Sequence, residues 1–210
     1  MLQRLTVLAI VLMVGSTNAA TACKGGQVLL EDWFSSTDAA WGRFDNTKTV
    51  ENSRLIMVAD PELSQTALNT GYSFENADVC VGAVVQQDPI PGQARASLVF
   101  WAKDYSNMFL FSVLTDGKFE VERLIQGQWQ SPAVISWTKT EALKKGVGQI
   151  NILRARIEDN SVRLFINDKE VASFKGQSPD APWKLGLSVG GGKGGGTGGF
   201  IGLKVTSVKE

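Results

Sequence analysis

Glu120 and Glu122 stand two positions apart in the segment Lys118–Ile125, next to Phe119, Val121 and Ile125. If the segment is a strand, both carboxylates point to one face, because side chains alternate along a strand. Two carboxyl groups facing one cleft are what glycoside hydrolysis needs, about 5–5.5 Å apart for retention and about 6.5–9.5 Å for inversion. The same pair also suits a plain wet strand face with Arg123 or Arg156 as counter-ion, and this reading is favoured. The 210 residues contain no histidine. Ser-His-Asp and Cys-His catalysis, His-ligated zinc and an imidazole proton switch are therefore excluded.

The residues best suited to binding are aromatic. Six tryptophans are present, at 33, 41, 101, 129, 137 and 183. Flat rings stack on the apolar faces of sugar rings, and neighbouring polar groups read the hydroxyls. Trp101, Tyr105, Trp129 and Trp137 fall at strand edges or turns, and Arg154 and Arg156 share the face of one strand opposite its apolar residues. These six are the candidate carbohydrate-binding residues. Packing between sheets is the competing use of a tryptophan, and Trp33 and Trp41 are assigned to it. The turn residues Asp104, Asn107, Asp159, Asn160, Asn167 and Asp168 carry oxygens suited to Ca²⁺. Each also caps its own turn, and no Asp-x-Asp-x-Asp spacing occurs, so no cofactor or metal is assigned.

The elements that hold these residues read as strands. β-rich runs recur at Val28–Trp33, Ser53–Ala59, Asp78–Gln87, Ala94–Ala102, Met108–Leu114, Lys118–Ile125, Gln149–Glu158, Ser161–Ile166, Glu170–Lys175, Lys184–Val189 and Gly199–Val208. Asp116-Gly117, Asp159-Asn160 and Asn167-Asp168 separate them, and the first and last of these pairs tolerate positive φ in tight hairpins. Thr140–Lys145 is the one short helical candidate. Leu153, Ala155 and Ile157 share a face, as do Val162, Leu164 and Ile166, and as do Phe119, Val121 and Ile125. Val99-Phe100-Trp101 and Phe109-Leu110-Phe111 are apolar on both faces, as in central strands or an aromatic groove. Many short strands without intervening helices predict an all-β, antiparallel two-sheet sandwich or jelly roll.

Residues 190–199 hold eight glycines in ten and read as a flexible hairpin loop. A nucleotide site is rejected there, since Gly194 rather than Ser or Thr follows Lys193 and no helix follows the loop.

Arg4, an apolar run over residues 5–15 and small residues up to Ala22 make residues 1–22 a secretory signal. The run is shorter than the about 20 residues a membrane span requires. Residues 23–210 then form a single domain, secreted or periplasmic, with one more acid than base. That balance argues against nucleic acid, which rewards a basic excess. Cys23 and Cys80 suggest a disulfide in an exported chain. The alternative is a lipoprotein acylated at Cys23, although Ala20 stands where such signals usually carry Leu.

The stretch Leu98-Val99-Phe100-Trp101-Ala102-Lys103-Asp104-Tyr105-Ser106-Asn107, then Phe109-Leu110-Phe111 and Asp116-Gly117-Lys118-Phe119-Glu120-Val121, resembles the concanavalin A-like lectin/glucanase superfamily. Domains of the laminin-G or 3-keto-disaccharide hydrolase type are the nearest in pattern. Gly127-Gln128-Trp129, Trp137, Asn151-Ile152-Leu153-Arg154, Arg163–Val171 and Asp32-Trp33-Phe34 extend the likeness over most of the chain. The resemblance implies two curved antiparallel sheets, the concave one holding carbohydrate. Glucanases of the superfamily carry Glu-x-Asp-x-x-Glu on one strand. Here Glu122 replaces the Asp and Ile125 the second Glu, so the catalytic set does not carry over. The expected function is non-catalytic, lectin-like carbohydrate binding. The enzyme alternative is a glycosidase or 3-keto-disaccharide hydrolase-like activity through Glu120 and Glu122. A third alternative is an envelope protein-interaction module.

Overall fold

A computed structural model describes residue 23, residues 25–180 and residues 182–208. The segment read as a signal, residues 1–22, lies outside the described residues. Fifteen strands are present among the described residues: β1 Val28–Asp32, β2 Lys48–Val50, β3 Leu55–Ala59, β4 Ser64–Leu68, β5 Ala77–Gln87, β6 Arg95–Asp104, β7 Asn107–Leu114, β8 Lys118–Ile125, β9 Gln128–Trp129, β10 Ile135–Lys139, β11 Asn151–Glu158, β12 Ser161–Ile166, β13 Lys169–Lys175, β14 Lys184–Gly190 and β15 Gly196–Thr206. All their pairings are antiparallel. The back sheet runs β13-β12-β11-β5-β15-β3-β2, with β1 also on β15. The front sheet runs β10-β8-β7-β6-β14-β4, with β9 also on β8.

The predicted alternation puts the core between the sheets. Leu98, Phe100, Phe111, Phe119, Val121 and Leu187 enter from the front, and Val79, Val81, Leu153, Ala155, Leu164 and Phe200 from the back. The two-residue turn at Asn167-Asp168 joins β12 to β13 with φ of 49° and 67°, as that dipeptide allows. Four strands escape the sequence pattern: β2, β4, β9 and β10. They are two to five residues long, polar or at sheet edges, and neighbours rather than alternation define them. Thr140–Lys145 is a turn rather than a helix. The side chain of Asn151 fixes it by accepting from Lys144 N at 2.8 Å and donating to Lys144 O at 3.0 Å.

The outer face of the back sheet carries a second layer. Cys80 on β5 is bonded to Cys23, with 5.6 Å between the Cα atoms and a separation of 57 residues. A loop of that size restricts the unfolded chain by about 4 kcal/mol. With Cys23 Sγ in this bond, no thiol remains there to carry a lipid. Beside it, Arg154 Nε donates to Asp78 Oδ1 at 2.7 Å, and the guanidinium lies 4.7 Å from the ring of Phe165.

The glycine segment differs from its sequence reading. Gly190 ends β14, Gly192–Gly194 form a single 3₁₀ turn, and Gly196 to Gly199 begin β15. Leu63 O accepts from Gly191 N at 3.0 Å, and Gln93 Oε1 accepts from Lys193 N at 2.9 Å. A Cβ at Gly198 would collide with Val189 Cγ2, and one at Gly196 would lie 2.7 Å from Ala94 Cβ. Glycine serves here for close approach of chains, and the segment is an integral hairpin rather than a loose loop.

Candidate functional site

The outward face of the front sheet is built in rows that follow from register. The first row is Ser64, Gly190, Arg95 and Leu114. The second is Thr66, Ser188, Ser97, Ser112 and Glu120. The third is Leu68, Gly186, Val99, Leu110 and Glu122, and Met108, Leu124 and Trp129 follow. Leu68, Val99, Ala102, Met108, Leu110 and Leu124 cluster as an apolar floor. The hydroxyls of the second row pair off, Thr66 with Ser188 and Ser97 with Ser112, each at 2.8 Å.

Arg95 ties these rows together. Its Nη1 donates to Glu122 Oε2 at 2.8 Å, and its guanidinium lies 6.0 Å from the ring centre of Trp129. Reaching from the first row to the third carries the side chain across the serine row, where Ser97 and Ser112 are fully buried. Its arm lies flat on Gly190, where a Cβ would land on Nε and come within 2.7 Å of Cγ. Glycine at 190 is thus a condition for Arg95 to reach Glu122. Gly190→Ala should swing the flexible arm aside at a stability cost of about 1 kcal/mol or less, while changing tryptophan emission through Trp129. A denaturant melt and an emission spectrum check this, and emission identical to the parent would refute the arrangement.

Glu120 is 7% exposed. Burial pushes its carboxyl up to about 7; the charge of Glu122 adds to the rise and Arg95 opposes it. The two carboxyl groups thus differ in setting: Glu122 is ion-paired with Arg95, while Glu120 is divided between acid and carboxylate at neutral pH. Neither is a freely solvated glutamate, and Arg95, not Arg123 or Arg156, is the counter-ion.

Two neighbouring recesses open on this face. One, of about 330 Å³, is lined by Tyr105, Trp129, Thr66, Met108 and Leu110. The other, of about 400 Å³, is lined by Trp137, Arg95, Leu114, Ser64, Gly190 and Lys193. Tyr105, Trp129 and Trp137 are 54%, 45% and 37% exposed. The structure therefore brings three of the six predicted binding residues together, along with Glu120 and Glu122.

The other three lie elsewhere. Trp101 is 1% exposed and belongs to the core. The ladders of β6 slip between Phe100 and Asp104, and Trp101 takes a φ of 47°, so two consecutive rings turn inward. Arg154 is buried against Asp78 on the back sheet, and Arg156 donates to Val208 O at 3.0 Å on the same sheet. Both point away from the core as expected, but from the opposite side of the sandwich. Trp41 is core as expected and donates Nε1–H to Asp32 at 2.7 Å, whereas Trp33 is exposed. Asp104 accepts from Ser106 N at 2.8 Å and Asn107 Nδ2 at 2.9 Å, which uses it as a turn cap. Sequence reasoning missed Arg95. Its signal was alternation: Arg95, Ser97 and Val99 oppose Ala96, Leu98 and Phe100, which places a charge on the face shared with Glu120.

No family model and no curated protein matches the chain. Solved structures do match. The catalytic domain of an endo-1,3-beta-glucanase (laminarinase) from Thermotoga petrophila superposes with a TM-score of 0.67 at 10% identity, covering 88% of this chain and 98% of that one. The beta-glucanase of Bacillus licheniformis gives 0.63 at 8% identity, with 87% and 99% covered. The carbohydrate binding module CBM66 from Bacillus subtilis gives 0.59 at 18% identity, with 73% and 86% covered. The chain has the concanavalin A-like lectin/glucanase fold. In this concanavalin A-like chain the strand with Glu120 and Glu122 is the second from one end of the front sheet, and Leu124 and Ile125, not a further carboxylate, follow the pair.

Proposed function

We propose that the protein is an exported, non-catalytic carbohydrate-binding domain that takes a glycan on the outward face of its front sheet. The observation that carries this is the gathering of three exposed rings, Tyr105, Trp129 and Trp137, around recesses with an apolar floor and a polar row. The rings stack on sugar faces, and Arg95, Glu122 and the partly exposed Thr66 read the sugar hydroxyls. Two solved structures of like fold, one named a carbohydrate binding module and one a glucanase, support the same ligand class. The Cys23–Cys80 bond supports an oxidising compartment, secreted or periplasmic. No helix among the described residues is long and apolar enough to cross a membrane.

The test is a glycan array followed by tryptophan-fluorescence titration. Trp129→Ala should weaken a saccharide found this way about tenfold or more, since a buried ring face carries a large share of such affinity. Absence of any saccharide response at millimolar ligand would end the proposal.

A glycosidase is the second reading. One observation favours it: two neighbouring carboxyl groups in unlike settings, Glu120 buried with its carboxyl raised to about 7 and Glu122 ion-paired with Arg95. Glu120 would donate the proton and Glu122 face the sugar as carboxylate. Under this reading Glu120→Gln abolishes turnover of a bound glycan and leaves binding in place. A glycan that binds but is never cleaved decides for the first reading.

A further inference from the structure

Glu120 and Glu122 have one guanidinium between them. Both face outward from β8, and Arg95 is the cation that acts on both. Register places them unequally. Both lie two strands across from Arg95, but Glu120 is one row away and Glu122 is two. Rows two residues apart are separated by about 6.6 Å. Glu120 is therefore the nearer carboxyl in the sheet. The arm of Arg95 passes it all the same and bonds Glu122 at 2.8 Å.

That choice suits a Glu120 that carries its proton. A neutral carboxyl needs no counter-ion, whereas a carboxylate 7% exposed and without a hydrogen bond among the described residues does. The other groups around Glu120 do not supply one. β7 presents Leu110, Ser112 and Leu114, and Ser112 already pairs with Ser97. On β8 itself, Lys118 is bonded to Asp116. On β10, Lys139 is level with Lys118 and not with Glu120. Glu62 and Lys193 belong to the recess of Trp137. That leaves Arg95, whose side chain is 22% exposed and lies flat over bare Gly190 with no Cβ to fence it in.

We infer that Arg95 is a two-position arm: it bonds Glu122 beside Trp129 while Glu120 holds a proton, and turns back to Glu120 once that proton has left to solvent. A step of one row draws the guanidinium away from the Trp129 ring, whose centre is now 6.0 Å from it. Burial, with Glu122 adding to it, raises the Glu120 carboxyl to about 7, so the exchange falls near neutrality. The consequence for glycan binding rests on the function proposed above: Arg95 and Glu122 would no longer stand joined beside the Trp129 ring, and the face should hold a saccharide more weakly.

The experiment is a ligand-free NMR titration of the whole protein from about pH 5.5 to about pH 8.5. It follows the arginine Nε–Cζ correlation of Arg95 and the indole N–H of Trp129, assigned with Arg95→Lys and Trp129→Phe. Both signals should move together with one midpoint near 7. Glu120→Gln should hold both at the parent's low-pH positions throughout. Glu122→Gln, which removes the rival acceptor and the like charge, should bring the midpoint down. Signals that stay still across the range, or that move equally in Glu120→Gln, would overturn the inference. A saccharide found on the array should bind about threefold or more weaker at the upper pH than at the lower, and equally at both in Glu120→Gln. Equal affinity in the parent would overturn the coupling to the glycan face. Absence of any saccharide response sinks the reading of that face instead, and the ligand-free shifts still decide on the arm.

Discussion

Asp78→Ala should lower the unfolding free energy by about 3–5 kcal/mol, the cost of leaving a buried charge without its partner. Asp78 is fully buried, and Arg154 is 7% exposed, clamped by Asp78 through Nε and Nη2 and covered by Phe165 and the layer that Cys23 closes. Removing the carboxylate strands a guanidinium that cannot turn out to water without opening that layer. The sign of the effect depends on breaking the pair, not on its net worth: a double replacement by apolar residues of similar volume should recover much of the loss. A denaturant melt of the two variants checks both statements. A loss under about 1 kcal/mol for Asp78→Ala would mean that Arg154 finds solvent, and would also reopen its assignment to a ligand site.

Glu120 makes stability depend on pH in the sense opposite to most carboxylates. Its carboxyl is raised from 4.5 to about 7 in the fold, by burial first and Glu122 second. The folded state therefore holds a proton that the unfolded chain has lost. This contribution is complete below about pH 4.5 and disappears as pH climbs through about 7, so the protein should lose stability over that window. The loss should be roughly 2 kcal/mol, after discount for Arg95 and for the partly wet face. Glu120→Gln, which carries the neutral form permanently, should flatten the slope and melt higher than the parent at pH 8. Melting curves at pH 5 and pH 8 decide. Equal slopes in parent and variant would place the carboxyl in water. The measurement bears on function too, because a glutamate that keeps its proton near neutrality is a hydrogen-bond donor to a sugar as well as an acid.

Much of the architecture was legible in the chain. Lys118–Ile125 and Ser161–Ile166 have the observed limits, and most of the other predicted strands differ by a few residues, because alternation is a local property of a half-buried strand. The edge strands β4 and β10 were not legible: they alternate weakly and exist because β14 and β8 pair with them. Trp129, Trp137 and Tyr105 were readable as exposed rings, since turns and edges stay at the surface. Trp101 was not, because one slipped residue in a ladder turns a side chain to the other face, and no local pattern marks that slip. Arg154 looked like a surface residue from its own strand. It is buried by Phe165 and the Cys23 segment, which come from elsewhere in the chain.

By itself the sequence determined the all-β class, the inward residues of the central strands, the absence of imidazole chemistry and the pairing of Glu120 with Glu122 on one face. Each is set by residue type or by a period of two, and neither needs a distant neighbour. The tertiary structure alone decided which face gathers the exposed rings, that Arg95 rather than Arg123 answers Glu122, and that Gly190 is bare so that Arg95 can lie across it. Those facts belong to the register of β14, β6, β7 and β8, and register sums many weak contacts between distant segments.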